Sequence, residues 1–150
     1  MNSDFPTTKT ATGLFQNARR RGFWRRLWGL LRHQPIYLTN FDDWYRMADV
    51  TDRTDRGIKT ISVYQIVGSV GRVSEFDHDF MPLNDRVNLR WRNLMRLRMS
   101  GVALPPIEVY QTSDGYFVID GNHRVSICRF LGIEFIEAHV IHIKNKQHKE

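Results

Sequence analysis

The sequence predicts an α/β (α+β) fold: a small mixed sheet with packed helices, preceded by a basic amphipathic N-terminal helix. Three observations carry this. Short apolar or β-branched runs at 58–63, 106–110, 116–119 and 134–143 alternate with stretches of helical period. At 150 residues, 41% apolar and 25% charged, the chain has the size and composition of one globular domain with an arm. The net charge of +6 is confined to residues 1–33, which hold seven basic residues against Asp4 alone; the remainder balances fifteen basic residues with fifteen acidic ones.

Composition also excludes some classes. A single cysteine, Cys128, rules out an internal disulfide framework and any multi-cysteine zinc site. No apolar run approaches the roughly 20 residues of a membrane span. The start, Met1 to Lys9, is polar and lacks the apolar core of a secretory signal. A cytoplasmic protein of bacterial type is expected.

Residues 1–12 are polar and rich in Thr and Ser, which predicts a disordered tail. A helical arm follows over 13–56. From Leu14 to Arg32, at about 100° per residue, Phe23, Trp24, Leu27, Trp28, Leu30 and Leu31 share one arc. Arg21, Arg25 and Arg32 lie opposite, with Arg19 and Arg26 on the flank. Leu14 and Ala18 fall off that arc, which places a break near Gly22. Pro35 ends the helix. A short helix comes next, with Thr39 as cap and Asp42 and Asp43 at its positive end. Asp49 to Arg56 alternates charge and reads as a solvated connection.

The domain proper spans 57–143. It opens with the strand Ile58–Val63 and a glycine-punctuated loop, Val67 to Arg72. Over 86–100, Val87, Trp91, Leu94 and Met95 form a helical stripe among Arg86, Arg90, Arg92, Arg96 and Arg98, and Gly101 stops it. The strand Pro106–Tyr110 turns at Ser113-Asp114-Gly115 into the strand Tyr116–Ile119. Asp120 to Arg124 leads into a helix that ends at Gly132, and Glu134–Ile143 is the last strand. Residues 144–150 form a polar tail.

The junction Asp120-Gly121-Asn122-His123-Arg124 is the sharpest chemical feature. A strand delivers it to a helix start, where the first-turn N–H groups lack helical partners and sit at the positive end of the dipole, an arrangement that suits phosphate. Gly121 admits close backbone approach, and Arg124 can add a forked donor pair. His123 can donate or transfer a proton near neutral pH, and Asp120 can ligate a metal or act as a base. The bland alternative is a capping aspartate with an arginine paired to a surface acid. The pattern matches neither a P-loop nor a dinucleotide fingerprint.

The stretch Leu104–Val140, with its strand ending in Gly121-Asn122-His123-Arg124 and its following Gly132-Ile133-Glu134-Phe135-Ile136 run, resembles the ParB-type box of the ParB/sulfiredoxin superfamily. The segment Gly71-Arg72-Val73-Ser74-Glu75-Phe76 is similar to the P-R-x-x-F segment of ParB proteins. The motifs I-V-G-S-V-G-R, F-D-x-D-F and D-G-x-H-R-V-S resemble a ParB-like, nuclease-type subgroup, and the likeness spans about residues 58–143. The resemblance implies a ParB/sulfiredoxin-like fold and a site for a nucleotide such as CTP or ATP, with Mg²⁺. It places the phosphates on Gly121, Asn122, His123 and Arg124, with Arg72 reaching in and Ser69 and Gly71 shaping the loop. Asp120 and His123 become the candidates for metal or proton chemistry. Asn122 stands where sulfiredoxins carry their reactive cysteine, which excludes sulfinic acid reduction. The helix-turn-helix and dimerisation parts of ParB proteins do not follow the box, so centromere binding is not expected.

The other candidates have plainer readings. Cys128 is expected to pack in the core. Asp77-His78-Asp79 lacks a spaced partner and reads as a turn; His139 and His142 fall on opposite strand faces, so no metal site is assigned. The arginines over 86–100 read as a solvated face. In the arm, Arg19, Arg20, Arg21, Arg25, Arg26, Trp24 and Trp28 could serve nucleic acid, anionic lipid or a protein partner. The plain expectation is that the apolar arc packs on the body or on a second subunit of a homodimer, since exposed tryptophans are a liability. The leading expectation is therefore nucleotide or phosphate binding at the Gly121–Arg124 turn, with Mg²⁺-dependent phosphoryl transfer or hydrolysis as its possible chemistry. The alternative is a non-catalytic DNA-, RNA- or partner-binding module built on the basic helix. A nuclease is discounted because paired metal-binding carboxylates are missing.

Overall fold

The computed structural model describes residues 8–146. In chain order it contains α1 (Thr8–Leu31), β1 (Thr39–Asn40), α2 (Phe41–Met47), β2 (Val50–Ser62), β3 (Ile66–Ser69), α3 (Asn88–Met99), β4 (Ile107–Thr112), β5 (Gly115–Asp120), α4 (Asn122–Leu131) and β6 (Phe135–Asn145). The strands form one sheet in the order β1-β3-β5-β4-β6-β2. Its β1/β3, β3/β5 and β4/β6 pairs are parallel, and its β4/β5 and β2/β6 pairs antiparallel. This is the mixed α/β class the sequence predicts.

Strand alternation sorts the side chains to two faces. Val109, Val118, Ala138 and Val140 join the main core under the helices. From the opposite face, Tyr110 and Phe117 meet Phe41 of α2, with ring centroids 4.6 and 5.4 Å apart. Trp91 of α3 is fully buried between Phe15 of α1 and Phe130 of α4, each edge-on at 5.6 Å. Burying a side chain such as Phe15 contributes about 1.5–3 kcal/mol. The Trp91 indole also donates to Ser126 Oγ at 2.9 Å, which ties α3 to α4 and gives the polar end of the ring a partner.

Several boundaries differ from expectation, each for a tertiary reason. Helix α1 starts at Thr8, inside the segment expected to be disordered; residues 1–7 of that tail lie outside the described residues. It also runs unbroken through Gly22. A Cβ there would sit 2.9 Å from Met81 Cβ and 3.1 Å from Asp77 Oδ2, so the glycine permits close docking and does not break the helix. Asp49–Arg56 is not a free connection, because Val50 onward pairs with β6 as an edge strand. Asn40 caps α2, its side chain accepting from the Asp42 N–H at 3.0 Å; Thr39 lies in β1 instead. The first half of the 67–72 loop is strand β3, since Gly68 and Ser69 pair with both β1 and β5. Lys144 and Asn145 extend β6, and residues 147–150 of the expected tail lie outside the described residues. Cys128 is buried as expected, and burial pushes its thiol pKa up.

The largest departure concerns the orientation of α1. Its buried stripe is Ala11, Phe15, Ala18, Gly22 and Gly29. The apolar arc does not pack on the body, one of the two expected places for it, and faces outward: Trp24, Trp28 and Leu31 are 56, 61 and 71% exposed. The arginine side meets the body. Arg26 pairs with the buried Asp77 at 3.0 Å, Arg19 with Asp85 at 2.7 Å, and Arg21 donates to the Phe130 carbonyl at 3.1 Å. Arg26 and Arg19 thereby supply charge to acids, which the wide aromatic face could not do.

Candidate functional site

The end of β5, the start of α4 and the loop after β3 converge on one cavity of about 120 Å³. Gly71 and Arg72 line it from one side, and Asp120 to Arg124 from the other. The junction has its shape because Gly121 adopts φ +116°, a left-handed conformation in which a Cβ would lie 2.4 Å from Ile107 Cγ2. Gly121 is also the N-cap of α4 and provides no side-chain cap, so the first-turn N–H groups keep their donor capacity. The preceding loop is held by Ser69, which is fully buried. Its hydroxyl lies 2.6 Å from the Gly71 carbonyl and 3.1 Å from that of Val118, and it accepts from the Gly71 N–H at 3.3 Å. Ser69 thus shapes the loop without lining the cavity. Arg72 adopts φ +59° and bonds both Glu75 oxygens, at 3.3 and 3.1 Å, while remaining largely exposed.

Asn122 is only 6% exposed. Its Nδ2 makes one long contact, 3.5 Å, to the Gly71 carbonyl, and its Oδ1 has no hydrogen-bond partner among the described residues. An unmatched buried acceptor in a cavity wall is the kind of atom a ligand hydroxyl, amine or water would satisfy. His123 is 5% exposed and packs edge-on against Phe76 at 5.2 Å. Burial, reinforced by the nearby Arg90 charge, pushes its pKa down to about 4. At neutral pH the ring is therefore uncharged, able to donate or accept one hydrogen bond, and it changes charge only in acid.

Arg124 has a different setting from the one its motif suggests. Its Nη1 donates to the carbonyls of Pro105 and Pro106, both at 2.7 Å, and its Nη2 to Asp120 Oδ2 at 2.6 Å. With 10% of its side chain exposed, it first ties α4 to the segment before β4, and only its remaining N–H groups are left for a ligand. Asp120 is the one carboxylate on the cavity. Its side chain is 61% exposed, and one of its oxygens is taken by Arg124. A Mg²⁺ ion of the kind held by one carboxylate plus ligand phosphates fits this donor set. No group of three or more metal-ligating side chains occurs among the described residues.

The sequence reading missed Arg90. It lies on α3, among arginines assigned to a solvated face, yet it lines the cavity beside His123. The only signal was its place next to Trp91, whose bond to Ser126 sets α3 against α4. The Asp77-His78-Asp79 segment is a turn as expected. Asp77 Oδ1 accepts from the N–H groups of Asp79 and Met81, both at 2.9 Å, and burial raises the Asp77 pKa. Asp79 lies 3.7 Å from both Arg25 and Arg129. Of the arm residues singled out, Arg19, Arg21 and Arg26 are engaged with the body, while Arg20, Arg25, Trp24 and Trp28 remain exposed. None of them borders the cavity. No helix among the described residues is long and apolar enough to cross a membrane.

No protein-family model, curated protein or solved structure matches the chain.

Proposed function

We propose that the chain is a phosphate-binding domain of ParB/sulfiredoxin type, which holds the phosphate chain of a nucleotide at the β5–α4 junction. The observation that carries this reading is the uncapped start of α4, which opens on a cavity that Arg72 and Arg90 also line; the unmatched Asn122 oxygen there can accept from a ligand hydroxyl or a water beside the phosphate. The helix start and the two arginines favour an anion. The cavity is smaller than the roughly 300–1,000 Å³ that encloses a drug-sized ligand, so it suits a phosphate group with the rest of the nucleotide lying outside.

In this reading Asp120, together with the ligand phosphates, would hold Mg²⁺, which supplies charge neutralisation for phosphoryl transfer or hydrolysis. The chain's own part is to orient the phosphates through the α4 N–H groups, to balance their charge with Arg72 and Arg90, and to offer neutral His123 as a hydrogen-bonding group. Thermal denaturation with CTP, ATP, GTP, ADP or inorganic phosphate, each with and without Mg²⁺, tests it. At a ligand concentration about 100-fold above Kd, stabilisation is about 2.7 kcal/mol, or roughly 5–10 °C for a domain of this size. The shift should vanish in Arg72→Ala and Arg90→Ala. A wild-type protein that none of these ligands stabilises overturns the proposal.

A further inference from the structure

We propose that the outward face of α1 is a docking surface for an anionic lipid bilayer, with the helix lying parallel to the membrane plane. Phe23, Trp24, Leu27, Trp28, Leu30 and Leu31 are each 43–71% exposed, and they occupy a continuous stretch of about 13 Å of helix. The side chains come in adjacent pairs, so they spread over an arc of roughly 160° at 100° per residue. A helix that enters a protein groove presents a narrower stripe at i, i+3, i+4 and i+7. A broad face of this kind fits a planar apolar medium better. Phe23 and Trp24 pack edge-on at 5.6 Å, and tryptophans suit the boundary between headgroups and chains because the ring is apolar and its N–H is not.

Charge selects among the possible occupants. Helix α1 contains no acidic residue. Arg20 lies in the middle of the outward face, one turn before Trp24, and Arg32 follows the helix directly; both are exposed. A second copy docked face to face would bury Arg20 in an apolar seam to which α1 brings no carboxylate. Anionic headgroups would neutralise them instead, while their aliphatic stems lie along the apolar surface. The body does not compete for this face, because α1 is already anchored through its opposite side by Phe15, Gly22 and the Arg26–Asp77 pair. The surface is separate from the phosphate cavity and does not depend on what binds there.

The test is co-sedimentation of the full chain with vesicles of phosphatidylcholine alone and of an equal mixture with phosphatidylglycerol. Binding is expected to the mixed vesicles, at least tenfold weaker to the neutral ones, and to be lost in Leu27→Glu/Trp28→Glu. These side chains are exposed, so circular dichroism and Tm should stay near wild type. Should that variant misfold, Arg20→Glu/Arg32→Glu tests the electrostatic half and is expected to bind at least tenfold more weakly. Three results overturn the proposal: no binding to the mixed vesicles, equal binding by folded variants, or a wild-type dimer that Leu27→Glu/Trp28→Glu dissociates in the absence of vesicle binding. The last assigns the face to a second copy.

Discussion

Arg124 is the residue whose substitution best separates a structural tie from a ligand contact. Replacing it with methionine keeps most of the buried stem and removes the guanidinium. The loss includes two bonds to the Pro105 and Pro106 carbonyls, at 2.7 Å each, and the ion pair with Asp120. Bonds from a charged donor contribute about 1.5–3 kcal/mol each, and removing the desolvation of a mostly buried cation offsets part of that. The expected net cost is about 3 kcal/mol, or roughly 6–12 °C in Tm. Urea denaturation followed by circular dichroism measures it without any ligand. Asp120→Asn is the control: its carboxylate is largely exposed, so its half of the pair should cost under about 1 kcal/mol. If Arg124→Met cost less than about 1 kcal/mol while abolishing phosphate binding, the assignment of Arg124 as a structural tie would be wrong.

Three further outcomes are expected. Gly121→Ala places a Cβ 2.4 Å from Ile107 Cγ2 at a left-handed φ, and strain with overpacking should cost about 2–5 kcal/mol, read as a fall in the urea midpoint. Arg26→Met leaves the buried Asp77 without its cation and should cost about 3–5 kcal/mol, whereas Arg25→Met, which loses only a 3.7 Å contact of a half-exposed arginine, should cost under about 1 kcal/mol; equal costs would contradict the burial argument. His123 gives a pH signature. Its folded pKa of about 4 lies below its unfolded value of 6.5, so the unfolded chain binds the extra proton between those limits and stability falls as pH drops from 6.5 towards 4. The slope approaches about 1.4 kcal/mol per pH unit at most, and unfolding midpoints for wild type and His123→Gln should converge in acid.

The elements that were legible in the sequence are those whose local pattern and tertiary role agree. The Val87–Trp91–Met95 stripe, the Ser113–Gly115 turn, and Gly132 as the left-handed cap of α4 all behave as their residue types dictate. The lining of the cavity was legible in part, because Gly71, Arg72 and Asp120 to Arg124 belong to two short chain segments that the sheet brings together. The parts that were not legible depend on distant partners. Val50–Arg56 carries no apolar alternation because it is an exposed edge, and only β6 makes it a strand. Arg90 looks like any helical surface arginine until α4 is set beside it. Arg124 carries a phosphate-binding motif, but the carbonyls that claim it belong to a proline pair nearly twenty positions upstream.

Helix α1 shows why amphipathicity alone does not say which side of a helix meets the body. The hydrophobic arc identifies where the large apolar side chains lie, whereas close packing of a helix needs small ones. Ala11, Ala18, Gly22 and Gly29 let the backbone approach the body, and the arginines at the edges of that stripe then reach Asp77 and Asp85. Part of the arm's positive charge is accordingly matched by acids of the body, so the local imbalance is smaller than the sequence count implies. This changes how the arm can be tested. Deleting residues 1–33 would leave Asp77 buried without Arg26 and strip Phe15 from Trp91, so lost binding of any partner would report damage to the body as much as loss of the arm. Substitutions confined to the outward face leave both contacts in place, and any function they abolish belongs to that face.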